Sequence, residues 1–116
     1  HTIGHAFESY FLKKKNSLNH GEAIAIGMVV ELYISHKINH FPLEMADDLK
    51  QFVHQFYGKI KVENSEINDI ILLLSHDKKN QLNKVMFVLL KAPEQALIDC
   101  EVSQDLIVAA INYYLK

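Results

Sequence analysis

The stretch from His20 to about Ile38 constrains this chain more than any other. Ala23, Ile24, Ile26, Gly27, Val30, Tyr33 and Ile34 recur at helical spacing and cover much of the circumference of the helix they predict. A helix that is apolar nearly all round is central to a core rather than laid on a surface. Gly27 in its middle costs about 1 kcal/mol relative to Ala, unless it permits close approach of another helix or of a ligand. The rest of the chain therefore has to supply an enclosure.

The flanking segments can do so. Ile3, Ala6, Phe7, Tyr10 and Phe11 repeat at helical spacing over residues 2–12. Lys13-Lys14-Lys15-Asn16-Ser17 is a polar break that reads as a solvated loop. Asn39 to Pro42 is a second break, and Pro42 suits the start of a new helix. Residues 43–57 carry Leu43, Met45, Ala46, Leu49, Phe52, Val53 and Phe56 at helical spacing, and Gly58 is placed to end them. Ser65 is expected to cap a further helix whose apolar face is Ile67, Ile70, Ile71 and Leu74. Residues 84–90 read as a short buried strand, with a turn at Pro93 and a hairpin partner over 96–100. Ser103 caps a last helix that turns Leu106, Ile107, Ala110, Ile111 and Tyr114 inward. The expected fold is mostly α: five helices and one small β-hairpin, in one domain over 1–116.

Composition narrows what such a domain can do. With 116 residues, 49% of them apolar, it can bury a core without disulfides or metals. A net charge of −2 gives no reason to expect nucleic acid or an anionic membrane surface. No run of about 18 apolar residues is present, so no membrane span is expected. No signal-peptide pattern is visible either, and a cytoplasmic protein is the expectation. The lone Cys100 excludes an intrachain disulfide, and Asp99 and Glu101 beside it oppose a thiolate, so it reads as structural. All twelve basic residues are Lys. Without the planar fork of Arg, an anion site here must use Lys, His or backbone N–H groups, or borrow an Arg from elsewhere. A chain that opens on His1 without Met reads as a fragment of something longer.

Three constellations could carry chemistry. The first is His1-Thr2-Ile3-Gly4-His5, two His four apart, which a helix points the same way about one turn from each other. That suits two metal ligands, or one ligand and one acid/base group. Seven His in the chain make such a pair unsurprising, and His36 with His40 is another. The second is His20-Gly21-Glu22-Ala23 at the mouth of the central helix. A helix N-terminus disfavours imidazolium, and a metal needs the neutral ring. Glu22 suits the positive end of the helix dipole, and the plainer alternative is that His20 and Glu22 only finish the helix. The third is Asp77-Lys78-Lys79-Asn80, where Lys side chains could hold phosphate or carboxylate as point charges or simply form an exposed loop.

Together and in this order, His-Thr-Ile-Gly-His-Ala-Phe-Glu (1–8), His-Gly-Glu-Ala-Ile-Ala-Ile-Gly-Met (20–28) and Asp-Lys-Lys-Asn (77–80) resemble the 3-dehydroquinate synthases, and the likeness runs to the end of the chain. The segment between His5 and His20 departs from that pattern, being slightly long and without the usual glycines. The resemblance implies the C-terminal helical metal- and substrate-binding domain of the dehydroquinate synthase-like fold. It implies that His1 and His20 are two ligands of a catalytic Zn2+, or another divalent metal such as Co2+, with a Glu from outside this chain as the third. It implies that His5 assists proton transfer at the substrate and that Lys78 or Lys79 reaches the substrate anion. The family converts the seven-carbon sugar-acid phosphate DAHP to 3-dehydroquinate in the shikimate pathway of aromatic amino acid biosynthesis, a phosphorus–oxygen lyase reaction. NAD is reduced and reoxidised within each turnover, on an N-terminal domain absent from this chain, which holds no cofactor-binding residues of its own. The partners implied are DAHP, that N-terminal half and, since members are commonly dimers, a second copy; the isolated chain is expected to be inactive.

Two other readings compete. Other sugar phosphate cyclases share both His motifs, and glycerol dehydrogenase-like metal enzymes have a His-Gly-Glu helix after an earlier metal His. The Asp-Lys-Lys-Asn loop favours an anionic substrate over glycerol. A non-catalytic helical interaction domain would bind no metal even with an N-terminal half supplied.

Overall fold

The helix expected from His20 to about Ile38 forms, in a computed structural model of the chain, the spine of the molecule. The structure describes residues 2–12, 20–58, 60, 62–75, 85–92 and 95–116, with the backbone alone at 2, 5, 12, 64, 74, 75, 85–92 and 95–101. Among the described residues the order is α1 (Thr2–Leu12), α2 (His20–Asn39), α3 (Leu43–Tyr57), α4 (Asn64–Ser75), β1 (Val85–Ala92), β2 (Gln95–Val102) and α5 (Gln104–Leu115). The chain is mostly helical. β1 and β2 pair antiparallel from Val85 opposite Val102 to Ala92 opposite Gln95, with two register irregularities between.

α2 is enclosed as its composition requires: α1, α3, α5 and β1 all pack on it, and α4 closes over α1 and α5. Ala23, Ile26, Val29, Val30 and Ile34 are fully buried there. Ile3, Phe7 and Phe11 from α1, Ile67 and Ile70 from α4, and Ile107, Ile111 and Tyr114 from α5 complete one core. Gly27 is needed for a close approach by a helix. A Cβ there would stand 2.7 Å from the Gly4 nitrogen and 3.0 Å from its Cα. The α1 and α2 backbones touch at these two glycines.

Local signals explain most boundaries. Gly58 ends α3 with φ +80° and returns its N–H to the His54 carbonyl at 3.0 Å. Ser103 caps α5, its Oγ accepting from the Leu106 N–H at 3.2 Å. Ser65 does not cap α4. The helix already begins at Asn64, and the Glu66 carboxylate reaches back to accept the Glu63 N–H at 3.1 Å. The apolar face of α3 is narrower than its seven apolar residues suggest. Ala46 and Val53 are buried and Leu49 half-buried, whereas Phe52 and Phe56 stay 59% and 68% exposed and stack on each other. With 100° between successive residues, only the stripe through 46, 49 and 53 faces α2. Among the described residues no helix is long and apolar enough to cross a membrane. The side chain of Cys100 lies outside the described residues.

Candidate functional site

The site-bearing end of the molecule is set by the α1–α2 pair. Gly4 lies against Gly27, while Glu8 meets His20, so the two helices run antiparallel. α1 keeps its register because Ile3 and Phe7 are buried and Tyr10, on the same face, is tied to α4. The Tyr10 hydroxyl donates to Glu66 Oε2 at 2.8 Å, joining α1 to α4. Burial first, and then the Glu66 carboxylate, push that hydroxyl up to about 12.

His20 is the first residue of α2 and its side chain is 66% exposed. Its Nδ1 lies 3.0 Å from Oε2 of Glu8, whose side chain is 27% exposed. Gly21 beside it is exposed, and Glu22 in the same first turn is half-buried. Burial raises the Glu22 carboxyl above the usual range. The Glu22 charge also reaches the fully buried Tyr114 hydroxyl, which is pushed up to about 12, chiefly by burial.

Of the residues singled out in the sequence, His20 is therefore placed beside a carboxylate. Position 5 lies on α1, three residues and about one turn before Glu8, and its side chain is outside the described residues. His1, Lys78 and Lys79 are outside them as well. Among the described residues no three His, Cys, Asp or Glu side chains converge as a metal group. The His36/His40 pair belongs to a chain corner: His40 takes φ 59°, and the His36 Nδ1–H donates to the Phe41 carbonyl at 2.8 Å. His54 is structural too, its Nε2–H donating to the Tyr114 carbonyl at 2.7 Å. Glu8 is the residue that sequence reasoning left without a role. It stands inside the first motif, but only the antiparallel packing of α1 on α2 brings it to a His twelve positions away.

Comparison with known proteins gives this end of the molecule its context. A family model described as the C-terminal part of 3-dehydroquinate synthase matches residues 1–80. The 3-dehydroquinate synthase of Parabacteroides distasonis is 35% identical over 114 residues, which are 98% of this chain and 32% of the relative. That of Clostridium tetani is 35% identical over 112 residues, 97% of this chain and 29% of the relative. The chain thus spans about a third of the length of the curated relatives it matches. A solved structure of 2-deoxy-scyllo-inosose synthase, complexed with carbaglucose-6-phosphate, NAD+ and Co2+, shares the fold. Its TM-score is 0.72 at 24% identity, over 97% of this chain and 32% of that one. With the family model covering both His motifs and the Asp-Lys-Lys-Asn motif, the chain belongs to the 3-dehydroquinate synthase C-terminal family.

Proposed function

We propose that this chain is the metal- and substrate-binding C-terminal part of a cytoplasmic 3-dehydroquinate synthase, acting on DAHP together with an N-terminal NAD-binding half. The observation that carries the reading is the match of residues 1–80, with His20 opening α2 beside Glu8. In it, His1 and His20 are the two ligands this chain contributes to a divalent metal. His5 assists proton transfer at the substrate, and Lys78 or Lys79 meets its anionic groups. The donor chemistry at His20 fits a metal, since the ring is open to solvent and one of its nitrogens is held by a carboxylate. A bound divalent ion would supply Lewis-acid polarisation of the substrate's hydroxyl and carbonyl oxygens. Bound NAD would supply a reversible hydride acceptor. The residues of this chain do the remaining work: they orient the substrate by its charges and, at His5, assist proton transfer.

The isolated chain should not turn over DAHP. Mixed with a separately made N-terminal half, NAD and Zn2+, it should bind zinc and release phosphate from DAHP, and His20→Ala should abolish both. Zinc binding without DAHP turnover would move the assignment to a sister sugar phosphate cyclase or a dehydrogenase. Neither zinc binding nor turnover would leave a helical interaction domain.

A further inference from the structure

We propose that Glu8 is a positioning residue that fixes which ring nitrogen His20 offers to a divalent metal; this rests on the reading of His20 as a ligand. Glu8 Oε2 lies 3.0 Å from His20 Nδ1. An ionised carboxylate can only accept, so Nδ1 carries the hydrogen and Nε2 carries the lone pair. The carboxylate is the more buried of the two groups. It therefore anchors the Nδ1 edge of the ring against α1 and turns the Nε2 edge away from it.

The seam beneath makes this anchor a fixed one. The Gly4 backbone lies against Gly27, where not even a Cβ fits, so α1 cannot slide along α2 without a backbone collision. Glu8 is one turn beyond Gly4 on α1, and its place beside His20 follows from that contact. As a largely solvent-open contact the two groups contribute little to stability. Their consequence is the tautomer and direction of the ring, and the loss of such an outer carboxylate typically weakens metal affinity about 10–100-fold.

Two readouts test this. In the chain labelled with 15N at histidine, two-bond 1H–15N correlations above neutral pH should show His20 with its hydrogen on Nδ1. Glu8→Ala should shift it toward Nε2–H, while Glu8→Gln, which keeps an acceptor oxygen, should hold it. In the chain assembled with its N-terminal half, Zn2+ titrated against a chelator should bind about 10–100-fold more weakly in Glu8→Ala and within a few-fold of wild type in Glu8→Gln. A wild-type His20 with its hydrogen on Nε2 overturns the proposal. So does Glu8→Ala with unchanged Zn2+ affinity while His20→Ala loses it, an outcome that spares His20 as a ligand. Zn2+ affinity unchanged in His20→Ala overturns the ligand reading itself, and the proposal with it.

Discussion

Where α1 meets α2, two glycines let the backbones touch, and beyond that crossing Glu8 meets His20. Where α3 meets α5, the connection is made of side chains. Tyr113 donates to Asp47, Lys50 Nζ sits 4.4 Å from the centre of the Tyr113 ring, and His54 holds the Tyr114 carbonyl. Tyr33 of α2 stacks on Tyr113 at 4.4 Å. At Gly27 the first seam is backbone against backbone, with no rotamer there to absorb a change; the second is built almost entirely from groups that can move. A site that requires ring nitrogens and charges in fixed places is better carried by the first kind. In this chain His20 and Glu8 are on it.

The sharpest way to break the comparison is Gly27→Ala. The new methyl would meet backbone, not the end of a flexible side chain. Overpacking typically costs about 1–3 kcal/mol, and the rigidity here places the effect high enough to outweigh the roughly 1 kcal/mol that Ala gains in helix propensity. A net loss of about 2 kcal/mol in urea unfolding is expected. Gly4→Ala should be milder, because the Ile24 Cδ1 at 3.0 Å can rotate and the nearest backbone atoms stand at 3.1 and 3.2 Å rather than 2.7 Å. Equal effects of the two would mean that the α1–α2 seam adapts after all.

On the polar seam the largest effect should come from His54→Ala. It removes the bond to the Tyr114 carbonyl and the edge contact between the two rings at 4.9 Å. A loss of about 1–2 kcal/mol is expected, with zinc binding in the assembled enzyme unchanged. If zinc binding falls as well, the two seams are coupled rather than separate.

Tyr113→Phe should cost less, about 0.5–1 kcal/mol, since its partner Asp47 is exposed. Its signature is in the pH dependence. Burial, followed by the bond to Asp47, holds the Tyr113 hydroxyl above its ordinary value of 10.0. The unfolded chain therefore releases this proton first, and the stability present below pH 10 is lost as pH rises further. Denaturation curves should fall more steeply above pH 10 in wild type than in Tyr113→Phe. Parallel curves would show that the Asp47 contact does not form in solution.

How much of this was legible in the sequence depends on how far each signal reaches. Gly58 and Ser103 act within one turn of themselves, and the ends of α3 and α5 were readable from them. Ser65 misled because a neighbouring Glu63–Glu66 pair finishes the helix start two residues earlier, and propensity alone does not rank the two. Helical spacing included Phe52 and Phe56 in α3, but periodicity does not say how wide a neighbour covers the apolar positions, and these two stay exposed. Gly27 was legible as a close approach, though not which element approaches. Glu8 could be read only as part of a motif, because its meeting with His20 depends on where two helices cross. The pair His36 and His40, unsurprising among seven His, is the corner between α2 and α3.

The smallest expected effect tests the boundary between the two seams. The Tyr114 ring is fully buried and its hydroxyl meets no partner among the described residues. A buried hydroxyl without a partner keeps its desolvation cost and returns nothing for it. Tyr114→Phe preserves the ring, its contact with His54 and the carbonyl that His54 holds, and removes only that oxygen. Stability should be unchanged or rise by up to about 1 kcal/mol. A loss of similar size would instead mean that the hydroxyl is engaged. Glu22, whose charge already reaches it, would then be the first group to examine, and α5 would reach through Glu22 to the turn that begins with His20.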